Sequence, residues 1–276
     1  MDIRPKPIHS QYVRPGNLKH LQQDFEGKKT HIVLVARDSY KSLEELHGHL
    51  EKSLGQFNAS EPHVFLYSET PFHGNYAPER KESKLWVGKI SELLKGRHPL
   101  SCVAFSVFEK RRPPAAGNGN GKAPSNTGYL ISAGRYSAYP KIEDAKGDEK
   151  IAKLLEADEE AFKSNWKKRA ERLNLRPNPY PHFTLNTGHA LEYRVCRDAI
   201  DGSRPDPKAI TLVSARGMPY DEIESLAKSQ RMLVINDAKK GVHLFHAKAG
   251  VYNPDRNKTA FEKALRDDLI KIETLS

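Results

Sequence analysis

The sequence predicts an α/β fold with mixed sheets, on two observations. Short apolar, β-branched runs alternate with stretches whose leucines recur at helical spacing, which is the pattern of strands followed by packed helices. Around residues 126–139 and 182–196, successive strand-like runs are separated only by short turns, so hairpins add antiparallel neighbours to the sheets.

Each element follows from its residues. Residues 1–28 carry three prolines and many polar side chains without sustained periodicity, and are expected to form an N-terminal arm. Residues 31–36 (HIVLVA) suit a buried strand, and 42–57 place Leu43, Leu46, Leu50, Leu54 and Phe57 at helical spacing. The pattern repeats with a strand at 64–67, a helix at 86–94 stopped by Gly96 and Pro99, and a strand at 100–108. The segment 111–125, RRPPAAGNGNGKAPS, has the composition of a surface loop. Strands at 126–132 and 135–139 flank a turn at Gly134. Residues 148–175 read as a charged helix that must end before the prolines of 176–181, a helical insertion (148–181) suited to a lid. Two strands then flank a turn at 186–188, the second running over 190–196. Strands at 209–214, 232–236 and 242–245, a helix at about 220–229 and a terminal amphipathic helix at 258–272 complete the chain.

At 276 residues the chain is long enough to bury a substantial core, and residues 29–276 are expected to form one domain. The 37% hydrophobic and 29% charged shares fit a globular protein with a polar surface. No apolar run of about 18 residues is present to cross a bilayer, and the first residues lack the apolar core of a secretory signal, so a cytoplasmic location without membrane association is expected. Cys102 and Cys196, the two cysteines, are too few for a disulfide framework or a cysteine-built zinc site. A net charge of +10 could attract nucleic acid or another anion. The basic residues are, however, interspersed with 35 acidic ones and form no stripe with aromatics, so nucleic acid is not the favoured partner.

Three strand ends carry reactive groups. Cys196 closes an apolar strand in Val195-Cys196-Arg197-Asp198, where strand-end N–H groups and Arg197 are expected to lower its pKa. Its competing reading is core packing, since free cysteine is among the most buried residue types; Cys102, inside the apolar run SCVAFSVF, is read as core outright. Glu69 follows the strand 64–67, and Lys141 follows the strand 135–139. A carboxylate, an ammonium and a thiol are the parts needed for covalent acyl transfer. His182 and His189 offer a rival, a cysteine–histidine dyad like that of thiol peptidases. Asp198 is expected to fix backbone or Arg197.

These segments resemble the carbon-nitrogen hydrolase (nitrilase/amidase) superfamily. HVFLYSETPFHG is similar to its strand-then-PE-x-F-x-x-G element, with Ser68 in place of the usual proline. NTGYLISAGRYSAYPKI is similar to the hairpin ending at its lysine, and GHALEYRVCRDAIDG to the strand ending at its cysteine. The resemblance runs from about residue 30 to about 254. It implies a four-layer α-β-β-α sandwich, a triad of Glu69 as general base, Lys141 as oxyanion stabiliser and Cys196 as nucleophile, and a homodimer or higher homo-oligomer. Glu149, with Glu143 and Asp148 as rivals, and Arg197 are its possible accessory residues. No metal and no organic cofactor are implied.

The expected activity is hydrolysis of a non-peptide C–N bond in an amide, carbamoyl or nitrile substrate, with acyl transfer to an amine as a variant of the same chemistry. A non-catalytic binding protein on the same fold, using its basic surface for anionic partners, is the alternative of a different class.

Overall fold

The computed structural model describes residues 18–25, 28–35, 39–73, 76–110, 125–141, 180–185, 188–200, 205–206, 209–219, 221–223, 226, 232–239, 241–246 and 272–274. Their strands are β1 (Leu18–Phe25), β2 (Lys28–Val35), β3 (His63–Tyr67), β4 (Cys102–Glu109), β5 (Ser125–Ser132), β6 (Arg135–Pro140), β7 (His182–Thr184), β8 (Ala190–Val195), β9 (Ile210–Ala215), β10 (Met232–Asp237), β11 (Gly241–His246) and β12 (Ile272–Thr274). Two helices, α1 (Leu43–Leu54) and α2 (Arg80–Arg97), follow β2 and β3, and a 3₁₀ turn spans Cys196–Ala199.

The strands form two mixed sheets, in the orders β12-β1-β2-β3-β4-β5-β6 and β11-β10-β9-β8-β7. Each has a parallel centre, β2·β3·β4 in the first and β8·β9·β10 in the second, flanked by antiparallel strands. The mixed α/β class expected from the sequence is therefore observed.

Alternation along the strands sorts the side chains into layers. Ile32, Leu34, Val64, Leu66 and Ala104 of the first sheet pack against Leu191, Tyr193, Val195, Leu212 and Val234 of the second. The opposite face of the first sheet, through Val33, Val35, Phe65, Tyr67 and Val103, packs on α1 and α2. On the outer face of the second sheet, Val213, Ala215, Leu233 and Ile235 meet Met218, Ile223 and Leu226. Helical layer, sheet and sheet are thus established; the described residues do not establish a fourth layer.

The helices owe their form to local chemistry. Ser42 caps α1 by accepting from the Glu45 N–H, and Leu43, Leu46, Leu50 and Leu54 fill its buried face. Against the expected helix at 86–94 stopped by Gly96, α2 begins six residues earlier and runs through Gly96 to Arg97; its first turn buries Ser83, a position that apolar periodicity does not register.

Two other expectations change. Residues 18–25, assigned to the arm, form β1 and pair along their whole length with β2, because a strand that gains its partner through backbone bonds needs no apolar periodicity of its own. Ile272, assigned to the terminal helix, lies instead in β12, which pairs with β1. Ser125, the last residue of the expected loop, starts β5. Residues 111–124 and 142–179 lie outside the described residues, so the loop, nearly all of the helical insertion, Glu143, Asp148 and Glu149 are not placed. Most of the terminal helix lies outside them too, and of the helix at 220–229 residues 221–223 and 226 are described, as helical. No helix among the described residues is long and apolar enough to cross a membrane.

Among the described glycines, the tightest surroundings are those of Gly128 in β5. A Cβ there would lie 2.7 Å from a ring carbon of Tyr139, 2.9 Å from Val195 and 3.0 Å from Tyr193, so a methyl would fit only if these side chains shifted. Gly128→Ala is expected to destabilise the protein by about 1–3 kcal/mol through overpacking, read as a lower urea midpoint at unchanged slope.

Candidate functional site

The parallel strands of both sheets point their C-terminal ends toward one edge, and the two sheets are joined there by polar contacts in place of apolar ones. Ser214 Oγ donates to the Tyr67 carbonyl at 2.6 Å, Asn236 Nδ2 donates to the Val35 and Leu66 carbonyls at 2.9 and 2.7 Å, and the Glu69 N–H donates to the Ala215 carbonyl at 3.3 Å. A strand end has carbonyls and N–H groups that its own ladder no longer pairs, and burying them unpaired costs on the order of 1–3 kcal/mol each. Here each sheet satisfies the other. The result is a polar, hydrogen-bonded edge beside the apolar core.

Glu69, Lys141 and Cys196 meet at this edge. Glu69 lies two residues beyond β3, Lys141 directly after β6, and Cys196 directly after β8. Lys141 Nζ donates to Glu69 Oε1 at 2.9 Å, and the Cys196 thiol donates to the same carboxylate. Asn126 Nδ2 adds a bond to Oε1 at 3.0 Å, while its carbonyl accepts from the Lys141 N–H at 2.7 Å, so one residue of β5 fixes both members of the ion pair. Glu69 and Lys141 are buried, Lys141 completely, and Cys196 is 9% exposed.

Two backbone positions here are unusual. Thr70, after the glutamate, has φ 45°, and Cys196 itself has φ 46°. The left-handed region costs non-glycine residues roughly 1–2 kcal/mol and persists only where the surroundings enforce it. Around Thr70 the restraint is the Ser106 hydroxyl, which accepts from its N–H at 3.0 Å. Around Cys196 it acts from both sides. The Val195 N–H donates to the Tyr139 hydroxyl at 2.5 Å, and Arg194 reaches past the cysteine to donate to the Asp198 carbonyl at 3.1 Å. Arg194, fully buried, is held in turn by Glu192 at 2.5 Å and lies over the Tyr180 ring at 3.8 Å.

The thiol's surroundings reverse one expectation. Its pKa is raised, first by burial and then by the Glu69 carboxylate; Lys141 and the backbone N–H of Arg216 oppose these without prevailing. The Arg197 guanidinium, expected to lower it, is instead paired with Glu222 at 2.7 Å. The sulfur is therefore a neutral thiol bonded to a carboxylate and not a standing thiolate, and any attack by such a group requires its proton to leave to the carboxylate.

Sequence reasoning also missed the loop after β9, which brings the Arg216 N–H to the sulfur. Asp237 pins this loop, accepting from the Gly217 N–H at 2.8 and 2.9 Å and the Met218 N–H at 2.8 Å, while Gly217 takes φ 91°. The R-G-M sequence after an apolar strand is a turn signal, but its target is a contact across strands. Of the rival histidines, His182 pairs with Asp206 at 3.7 Å, and the charged groups acting on the Cys196 thiol are Glu69 and Lys141. Cys102 is wholly buried, and burial pushes its thiol up to about 12. No family model matches the chain, and no curated protein matches it.

The opposed effects of Glu69 and Lys141 on the sulfur make a signed prediction. Glu69→Gln removes the carboxylate that raises the thiol pKa and leaves the lysine that lowers it. Alkylation of Cys196 by iodoacetamide, followed against pH, is therefore expected to shift to lower pH in Glu69→Gln and to higher pH in Lys141→Met. Equal profiles in all three proteins would show that the thiol is not coupled to the pair.

Proposed function

We propose that the protein is a thiol-dependent hydrolase of non-peptide C–N bonds, acting on an amide, carbamoyl or nitrile group on a four-layer α-β-β-α sandwich of the carbon-nitrogen hydrolase type. The observation that carries this reading is that a single buried carboxylate accepts both from the Cys196 thiol and from the Lys141 ammonium. That arrangement provides a base in contact with the nucleophile's proton and a fixed positive charge beside the reacting atom. The apolar outer face of the second sheet, through Val213, Ala215, Leu233 and Ile235, is a suitable seat for the fourth layer.

In the first half-reaction, Cys196 Sγ attacks the carbonyl carbon as its proton passes to Glu69. The carbonyl π electrons move to oxygen, and the oxyanion is stabilised by Lys141 Nζ and the backbone N–H of Arg197. Donors of this kind are worth roughly 3–4 kcal/mol each in hydrolases. Collapse breaks the C–N bond, the proton on Glu69 goes to the leaving amine, and a thioester remains; a nitrile forms a thioimidate instead. In the second half-reaction Glu69 takes a proton from water, the hydroxyl adds to the thioester carbon, and collapse expels Cys196, which recovers the proton from Glu69. Acyl transfer to an amine replaces water in this step.

Because the thiol pKa is raised, binding must bring the electrophile to the sulfur before proton transfer becomes favourable. This favours reaction only with a substrate seated against Lys141, since a standing thiolate would react with any electrophile.

Intact-mass spectrometry after incubation with a panel of amides, carbamoyl compounds and nitriles tests the proposal. An acyl adduct on Cys196 is expected, absent in Cys196→Ala and with turnover reduced by at least about a hundredfold in Glu69→Gln. Turnover that survives Cys196→Ala would refute the mechanism, and the absence of any adduct or turnover across the panel would favour a non-catalytic binding protein on this fold.

A further inference from the structure

The N-terminal ends of β2 and β3, the ends away from Cys196, gather a second group of polar side chains. His31 and His63 are register partners on this parallel pair, so both side chains leave the sheet on the face that α1 and α2 cover. Their rings stack with centroids 4.7 Å apart and planes 24° apart. Glu61, just before β3, places Oε2 3.2 Å from His31 Nε2, and one donor atom from each of the three residues lies within 4.8 Å of the other two. His31 and His63 are buried, while the Glu61 side chain is 42% exposed.

We propose that His31, Glu61 and His63 form a binding site for a divalent first-row transition ion of the zinc class, with solvent completing the coordination on the exposed Glu61 side. Two imidazoles and one carboxylate are ligands that suit zinc, nickel or cobalt, and not magnesium or calcium, which take oxygen donors. The spacing agrees. Two ligands at about 2.0–2.1 Å from a tetrahedral ion stand about 3.3 Å apart, close to the observed His31–Glu61 separation, and the donor atoms of the other two pairs lie within 4.8 Å, so binding would draw the stacked imidazoles together around the ion.

The protonation pattern is also suitable. His63 Nδ1 lies 2.9 Å from the Glu61 carbonyl, and a carbonyl only accepts, so Nδ1 carries the proton and Nε2 presents a lone pair. A backbone carbonyl holding the non-ligating nitrogen is the usual way a ligating histidine is oriented. Phe57 packs against the His63 ring at 4.9 Å and keeps that side apolar.

The surrounding backbone favours a cation. His98, the C-cap of α2, stands with its ring 6.1 Å from that of His63 and donates to the carbonyl of Leu54, the last residue of α1. The negative ends of both helix dipoles therefore converge on this corner. His98 Nδ1 is buried with no hydrogen-bond partner among the described residues, so the corner holds a further nitrogen with an unused lone pair.

The site lies roughly 20 Å along the strand direction from Glu69, given six residues at about 3.3 Å each, and so acts on the fold and not on the chemistry at Cys196. Bound metal would tie β2, β3 and the segment before β3 into one unit.

The test is titration of the metal-stripped full-length protein with Zn²⁺ alone, by calorimetry and by the shift in Tm. One equivalent is expected to bind and to raise Tm, in the wild type and equally in Cys196→Ala, which separates this site from the thiol. Glu61→Gln, a near-isosteric change at a part-exposed position, is expected to weaken binding by about tenfold or more, and His63→Asn to abolish it. Should His63→Asn fail to fold, Glu61→Gln alone decides. No heat and no Tm rise at roughly a hundredfold excess of Zn²⁺ would overturn the proposal, as would binding that Glu61→Gln leaves unchanged or that Cys196→Ala removes.

Discussion

The Glu69–Lys141 ion pair is buried where the two sheets meet, and the rest of the structure is arranged so that it can exist there. Taking a carboxylate and an ammonium out of water costs several kcal/mol per ion, and their attraction repays that only when the geometry is tight and the remaining polar atoms are satisfied. Asn126 supplies part of that satisfaction, bonding the carboxylate with its side chain and the lysine's backbone with its carbonyl. Ser214 and Asn236 contribute indirectly, by donating to the strand-end carbonyls of the opposite sheet and so joining the two sheets at this edge. The apolar core between the sheets then shields the pair from solvent on its inner side.

Within that setting the cysteine is both strained and restrained. Its left-handed backbone is bounded by Tyr139 before it and Arg194 beyond it, and both of these are themselves locked, Tyr139 against Gly128 and Arg194 against Glu192 and Tyr180. Packing, hydrogen bonding and the geometry around the thiol are therefore one system: a methyl added at Gly128 would press on the same tyrosine that fixes the backbone of Cys196. The raised thiol pKa has the same origin, because the burial that strengthens the ion pair also favours the protonated sulfur.

Much of this was legible in the sequence where a signal is local. β2, α1, β3, β4 and the hairpin β5–β6 follow from apolar periodicity, the Ser42 cap and Gly134, and the three reactive residues were visible as polar groups ending apolar runs. What was hidden depends on contacts across strands. β1 has no periodicity because its pairing is made through backbone groups, and α2 conceals its first turns because Ser83 is buried without being apolar. The Arg216 N–H, the Asp237 clamp and the buried Glu192–Arg194 pair all act between segments brought together by sheet order. The same holds for His31 and His63, which are 32 residues apart and become neighbours only through the register of two parallel strands. Arg197 was misjudged for the converse reason: adjacency in sequence put it beside the thiol, and the 3₁₀ turn sent its side chain to Glu222.

The measurement that bears most directly on the buried pair is a double-mutant cycle on stability, with urea denaturation of the wild type, Glu69→Gln, Lys141→Met and the double variant. Each single change strands one buried charge and is expected to cost about 3–5 kcal/mol, while the double variant costs clearly less than their sum, leaving a coupling of at least about 2 kcal/mol. Additive costs would contradict the account, since they would mean that Glu69 and Lys141 do not depend on each other and that the edge between the sheets is held by something else.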